Sequence, residues 1–359
     1  MKTPNDCSDK YNLLDDHRLA QAEIDLPFVT VIVTNYNYEN YVVPCLRSIA
    51  RQKYPHFKCI VVDDVSTDHS VERIDNFIKS DESKGKFELI CHENNGGQMK
   101  SFKTGMEQAE GDFVVFVDSD DIIFEDFLSA HILAHISMQT VAFTCSNAYQ
   151  IDGKSTIIAG MQFDLKTKER YKYVSTLPIY RPFWPWSTTS SMMFRRSILD
   201  LIMPDDCDPF RVCADNYLCL FANLIGGSLL ISEAYGVYRR HGKNNFANNP
   251  VISGNTVIGD MKNHPQHDVV RTNILSHFLE HAERFRPLLA SEGNLILDRF
   301  TTTLFRMGKP SEIWKIRKDY PNCFPGKTRS FFLLRVFLAF LYKIRSDIHM
   351  IRNLGEYVS

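Results

Sequence analysis

The sequence has no CxxC pair, no G-x-G-x-x-G loop behind its first apolar run, and no apolar stretch long enough to cross a bilayer of about 30 Å. Each absence removes a class. Nine cysteines stand singly at 7, 45, 59, 91, 145, 207, 213, 219 and 323, several inside apolar runs. That pattern reads as buried thiols in a reducing compartment rather than a disulfide framework. Without a glycine fingerprint after Val33, a dinucleotide-dependent oxidoreductase is excluded. Thr34-Asn35-Tyr36-Asn37 likewise offers none of the glycine-rich, basic loop that a nucleotidyltransferase would need. An excess of either charge is lacking too: 41 Lys or Arg against 43 Asp or Glu leave a formal net charge of −2, which gives no whole-chain reason to bind nucleic acid. Residues Met1 to Asp25 are polar, carry six Asp or Glu and lack a signal-peptide core, so they read as a leader on a cytoplasmic protein. No internal repeat and no low-complexity tract is present.

What is there is ordinary globular material: 359 residues, 44% hydrophobic and 23% charged, enough for one large domain and a smaller appendage. Phe28 to Val33 is β-branched and almost wholly apolar, as a strand buried on both faces requires. A helix over 41–53, a strand over 58–62 and a helix ending near Ser80, capped by Ser66 and Asp68, follow. A strand over 87–91, a helix over 98–109 and a strand over 112–117 continue the alternation. Helical spacing from Phe124 to Ile136, a strand over 141–145, a Trp- and Ser-rich loop over 182–191, a helix over 213–224 and a strand over 228–238 complete it. Such alternation predicts an α/β fold: a Rossmann-like, mostly parallel sheet flanked by helices, with a helical extension beyond about residue 245.

In sheets of this kind ligands bind past the carboxyl ends of the strands, where Asp63, Asp64, Asp118, Asp120 and Asp121 all fall. Carboxylates one residue apart, as in Asp118-Ser119-Asp120, can converge on a hard cation such as magnesium or manganese. The competing reading is a turn or helix-capping cluster. Asp63 or Asp64 suits a base N–H or a ribose hydroxyl, or merely caps the next helix. Thr34 and Tyr36 end the first strand at the same rim, where a Tyr either stacks on a base or stands exposed in a turn.

Taken in order, Val29–Asn37, Val61–Asp68, Asn94–Gln98, Ala109–Asp112 and Phe116–Asp121 resemble glycosyltransferase family 2, which has the GT-A fold. The resemblance covers roughly residues 27–245. It implies that Asp63 or Asp64 holds the base of a nucleotide-sugar donor, expected to be a UDP-sugar. It also implies that Asp118 and Asp120 form a DxD motif for Mn2+ or Mg2+. Lys103 stands where many relatives have Asn, and Val65 where many have Gly; the latter restricts the turn to negative φ or strains it. Asp215, within Ala214-Asp215-Asn216-Tyr217, matches the catalytic base of a Glu-Asp motif whose Glu is here Ala214. Tyr238 to Gly242 resembles an Arg-x-His element, in which Arg239 meets the diphosphate and His241 adds a metal ligand. Trp184, Trp186 and Ser187 to Ser191 would border the acceptor site, unless the two Trp are packing residues.

These implications give a 1–25 leader, a catalytic domain over 26–245 (donor half 26–121, acceptor half 122–245) and a helical region over 246–359. The expected activity is an inverting, metal-dependent transfer to an acceptor hydroxyl in polysaccharide or glycolipid assembly. The alternative is a non-catalytic nucleotide-sugar-binding or scaffold protein that kept the fold. Ser330 to Tyr342 is the most apolar stretch, with Lys327, Arg329, Arg335, Lys343, Arg345 and Arg352 around it. A basic, apolar helix there is expected to lie on the inner leaflet of a membrane, making the protein peripheral; docking onto the catalytic domain or a second subunit is the rival.

Overall fold

A computed structural model of the chain describes residues 26–161, 169–175, 184–241, 265–281 and 283–285, with single positions between 311 and 344. The chain divides into two compact units, 1–175 with 184–261 and 176–183 with 262–359.

The first unit is built on one mixed sheet. Its strands are β1 (Val29–Asn35), β2 (Phe57–Asp63), β3 (Phe87–Cys91), β4 (Phe113–Asp118), β5 (Ile122–Ile123), β6 (Phe143–Asp152), β7 (Ile157–Met161), β8 (Tyr171–Val174), β9 (Met192–Arg195) and β10 (Ser228–Arg240). The order is β3-β2-β1-β4-β9-β6-β10-β5, with β7 on β6 and β8 on β10. Strands β3, β2, β1 and β4 run parallel, so Asn35, Asp63, Cys91 and Asp118 all finish on one side. Strand β9 enters antiparallel between β4 and β6. Strand β10 returns parallel to β6, with register breaks after Ile231 and Ala234 that bend its end toward β5.

Helices α1 (Val42–Ala50), α2 (Ser70–Lys79), α3 (Gln98–Glu107), α4 (Phe127–Ser137), α5 (Arg196–Ile202) and α6 (Ala214–Gly226) cover the sheet. Alternation along β1 sorts the two faces: Val29, Val31 and Val33 join Val42, Leu46, Ile49 and Phe127 in one core. Ile32 points the other way, against α3. There Gly105 lets the helix come so close that a Cβ would lie 2.5 Å from the Ile32 side chain. Phe102 stacks on Phe116 at 4.1 Å on that same face. In the second unit, α7 (Pro265–Glu280) buries Val270, Ile274 and Phe278, and Phe278 stacks on Phe285.

The expected alternation is present over 29–137, with one correction at a helix start. Ser66 does not cap α2; it bonds to Asp63 and Asn35, and Asp68 alone receives the Ser70 N–H, at 2.9 Å. The stretch expected as a Trp- and Ser-rich loop ends in a 3-10 turn (Thr189–Ser191) that leads straight into β9.

Helix α4 buries two histidines. His135 Nε2 donates to the Met193 carbonyl at 3.1 Å, which leaves Nδ1 bare and buried. His131 Nδ1 pairs with Thr144 Oγ1 at 2.6 Å, and its Nε2 is buried without a partner. Desolvation lowers both pKa values, that of His135 to about 3. The unfolded chain takes up these protons below about pH 6.5 while the folded chain does not. Stability from this source is therefore complete above about pH 6.5 and is lost as pH falls below it, for His135 down to about pH 3. Urea midpoints between pH 7 and 5 should drop less in His135→Gln, which keeps a donor for Met193, than in the wild type. Parallel pH profiles for the two proteins would remove histidine burial as the cause.

Candidate active site at the carboxyl ends of the strands

Strand β4 breaks at Asp118 because the next residues turn back: Asp121 N–H donates to Asp118 O at 3.0 Å. Asp121 is fully buried and acts as a bolt. Its Oδ2 accepts from Ser190 Oγ at 2.7 Å and its Oδ1 from Arg239 N–H at 2.9 Å, so the turn is fastened to the 189–191 segment and to β10. Burial, with Asp120 and Asp118 beside it, holds the Asp121 carboxyl well above the usual carboxylate range. Ser190 Oγ also accepts the Asp118 N–H at 3.0 Å.

The fastening leaves Asp118 and Asp120 at the rim. Asp120 pairs with His241 Nε2 at 2.9 Å. The His241 ring stacks on Tyr41 at 5.2 Å and meets Tyr38 edge-on at 5.5 Å. Asp118 stays partly exposed, and its Oδ1 accepts from Gln98 Nε2 at 3.2 Å. Desolvation, then the charges of Asp120 and Asp215, push its pKa up to about 7. Asp215 lies in the first turn of α6, partly exposed, with its Oδ1 accepting the Asn216 N–H at 2.9 Å. Desolvation raises its pKa as well. The Thr189 hydroxyl bonds to both Asp118 and Asp215. Aspartates nearly a hundred residues apart in the chain thus share one rim.

The loop after β2 is held differently. Asp64 accepts the N–H groups of Gly96 and Gly97, each at 2.7 Å, and His92 Nδ1 at 2.8 Å. It is committed to the scaffold. Asp63, 1% exposed, takes Asn35 Nδ2 and Ser66 Oγ on Oδ2 and Ser66 N–H on Oδ1, so it too braces the rim rather than opening onto it. Thr34 and Tyr36 follow on β1, and Tyr36 is 49% exposed, as a stacking platform must be.

Two expected site residues are placed elsewhere. Arg239 is 1% exposed; its Nε donates to the Asp120 carbonyl at 2.7 Å and its Nη1 to Asp152 O and Ser155 Oγ. It braces the DxD turn from behind, in place of the expected diphosphate contact. Trp186 is 0% exposed and donates to Ser228 Oγ at 2.8 Å, which makes it core and not an acceptor wall. Trp184, half-buried, packs edge-on against Trp186. Lys103 spans from α3 to the carbonyls of Pro204 and Asp205, 3.1 Å each, a structural post for the segment before α6. Tyr38, Tyr41 and Gln98 belong to the site although no site role was expected of them, whereas Thr189 and Ser190 fall in the 187–191 segment expected beside the acceptor.

Among the described residues no group of three or more His, Cys, Asp or Glu forms a ready metal cage. The chemistry of the donor set nevertheless fits a hard cation that takes its remaining ligands from a substrate. Two neighbouring carboxylates face the rim; burial first and like-charge crowding second raise Asp118, and the crowding is what a cation relieves.

Residues 30–202 match the family model for Glycosyl transferase family 2. An uncharacterized glycosyltransferase of Nostoc sp. is 25% identical over 334 residues, which is 89% of this chain and 98% of that protein. Glycosyltransferase GlyG of Streptococcus pneumoniae is 36% identical over 100 residues, so that this chain spans 32% of its length. The poly(ribitol-phosphate) β-N-acetylglucosaminyltransferase TarS of Staphylococcus aureus is 38% identical over 104 residues, 28% of this chain and 17% of TarS. The crystal structure of its residues 1–349 with UDP-GlcNAc superposes with a TM-score of 0.51 at 21% identity, covering 89% of this chain and 88% of the other. That likeness shows the GT-A fold.

Backbone strain marks the rim. Val65, directly after Asp64, sits at φ 68°, a region that a β-branched side chain enters only under strain. Val65→Gly should release about 1–2 kcal/mol of that strain against a chain-entropy penalty of about 0.5–1 kcal/mol. The urea midpoint is therefore expected to rise slightly, and a fall would show that the left-handed turn is not strained.

Proposed function

The chain belongs to glycosyltransferase family 2 through its domain at residues 30–202, and on that premise we propose an inverting transfer of a sugar from a UDP-sugar to an acceptor hydroxyl. The observation that carries the proposal is the shared rim: Asp118 and Asp120 at one strand end and Asp215 at the start of α6, joined through Thr189 and Gln98. TarS, whose crystal structure holds UDP-GlcNAc, supports uridine as the donor base. We carry forward the division into a 26–245 catalytic region and a 246–359 helical region.

In this mechanism Tyr36 stacks on the base and Thr34 borders it, with Asp63 bracing the rim behind them. Asp118 and Asp120 would hold a divalent cation, manganese or magnesium, with His241 beside them, and such an ion neutralises charge on a departing diphosphate. His241 Nε2, 2.9 Å from Asp120 Oδ2, holds that carboxylate in place. Asp215 Oδ2 takes the proton of the acceptor hydroxyl as that oxygen forms its bond to the anomeric carbon and the diphosphate leaves. The desolvation that raises Asp215 makes it a better base than an open carboxylate. Trp184 borders the acceptor side.

Cytoplasmic location and membrane contact belong to the same proposal, for polysaccharide or glycolipid assembly. Among the described residues no helix is long and apolar enough to cross a membrane. In the second unit the helical positions Leu333, Leu334, Phe337, Phe340, Leu341 and Ile344 are 41% to 57% exposed. Helical spacing puts them on one face, and the basic residues around 327–352 match it to anionic lipid.

Asp215→Asn should bind UDP as the wild type does while transfer falls about a hundredfold or more; unchanged transfer would reassign the base. Asp120→Ala should abolish manganese-dependent UDP release from every UDP-sugar. For the wild type, turnover requires ionised Asp215, so kcat should fall as pH drops through a pKa above the ordinary aspartate value of about 3.9. A protein that binds UDP-sugars but never releases UDP, with any acceptor and metal, would be the scaffold alternative.

A further inference from the structure

Gln98 opens α3 and is tied on three sides. Its backbone N–H donates to Arg211 O at 2.9 Å. Its side-chain Nε2 donates to Asp118 Oδ1 at 3.2 Å, and its Oε1 accepts the Ala214 N–H at 3.1 Å. The partners fix the amide's orientation, because a carboxylate only accepts and a backbone N–H only donates. No other side chain does both jobs at this length. Glu would set another carboxylate beside Asp118, Lys has no acceptor for Ala214, and Leu has neither group.

The two partners serve opposite ends of the reaction. Asp118 ends β4, on the side of the leaving diphosphate. Ala214 heads α6 and is joined directly to Asp215. The segment that carries Ala214 is itself fastened to the neighbouring loop. Arg211 Nη2 reaches Asn95 O at 3.0 Å and Asn95 Oδ1 at 2.5 Å, and Asn95 Nδ2 donates to Asp64 O at 2.8 Å. Gly97 completes the joint: at φ 79° any Cβ there would lie 2.6 Å from Arg211 Cα, so the two loops touch backbone to side-chain-free backbone.

We propose that Gln98 is a positioning residue that ties Asp118 to the start of α6, so that the leaving-group side and the base side of the site keep one fixed spacing. The inference rests on the roles given above to Asp118 and Asp215. Thr189 joins the same two carboxylates, but its single hydroxyl proton serves one of them at a time. The amide of Gln98 satisfies a donor and an acceptor simultaneously and is the persistent link. The hydrogen bonds of Gln98 go to Arg211, Asp118 and Ala214 and none to Thr34, Tyr36 or Asp63, so its loss is expected to disturb turnover and not nucleotide affinity.

The test compares the full-length wild type with Q98L, Q98E, D215N and the double variant Q98L/D215N. Calorimetry with UDP and manganese gives Kd, and UDP release from UDP-GlcNAc gives kcat and KM. For Q98L, Kd and KM are expected to stay within about threefold while kcat falls roughly tenfold or more, the scale of a misplaced reacting group. Q98E should fall further, because its carboxylate repels Asp118. Since Gln98 acts through Asp215, Q98L should add little to the loss already present in D215N. A kcat for Q98L within twofold of wild type, or full additivity in the double variant, overturns the inference. Melting temperatures report folding, and Q98M replaces Q98L if that variant unfolds. Wild-type turnover that Q98L retains sinks this inference alone; a wild type with no turnover on any nucleotide sugar sinks the reading of the site and this inference with it.

Discussion

Four carboxylates gathered at one end of one sheet form the constraint on which the rest of the structure depends. Like charges at such distances are costly unless each is neutralised, hydrogen-bonded or left in contact with water. The fold uses all three remedies. Asp121 is buried, with one oxygen accepting from Ser190 and the other from the Arg239 backbone, and burial beside Asp120 and Asp118 raises its pKa. Asp120 is set against His241. Asp118 and Asp215 keep open faces and share Thr189. Only the last two remain poorly compensated, and the proposed chemistry uses both of them together with Asp120. The site is therefore destabilising by design of its charge, and the stability comes from the cores on either side of β1 and β4.

Backbone geometry repeats the pattern. Val65 and Cys213 both lie in the left-handed region, at φ 68° and 63°. One follows Asp64 and the other precedes the helix that carries Asp215. Neither is a residue that favours this conformation, and each stands beside a loop held by several hydrogen bonds, which is where such strain persists. Asn37, also left-handed, is a residue that tolerates it, and its Oδ1 accepts the Thr67 N–H. Strain at the rim thus coincides with the loops that must present specific groups.

The parallel half of the fold was legible because its signals are local. Val29–Asn35 and Phe113–Asp118 are apolar on both faces, and each runs directly into polar residues, so strand, end and rim follow from one reading. The other half was not. Strand β9 is four residues long, and its place between β4 and β6 depends on pairings with Phe113 and Phe143, 82 and 51 residues before Arg195 and Phe194. The same limit hid Gln98, whose partner Ala214 is 116 residues away. Lys103 looked like a departure from a motif, and only the carbonyls of Pro204 and Asp205 show why a long cation suits that position.

Residue type also misled where a polar partner was supplied from afar. A Trp in a Ser- and Thr-rich segment reads as a rim residue, because indole wants one apolar side and one hydrogen-bond acceptor. Trp186 finds its acceptor in Ser228 and stacks its apolar surface near Phe143, so it can be buried completely. Arg239 reads as a phosphate ligand for the same kind of reason, yet carbonyls of Asp120 and Asp152 use its donors internally. In both cases the side chain supports the site from inside: Trp186 through the residues leading to Thr189, and Arg239 through the carbonyl of Asp120 itself. Motif position tells which residues belong near the rim, but exposure decides which of them can touch a substrate. By that criterion Asp118, Asp215 and Tyr36 are the open surface, Asp120 lies just behind it where a cation would be held, and Asp63, Asp64, Asp121, Arg239 and Trp186 are the frame that aims it.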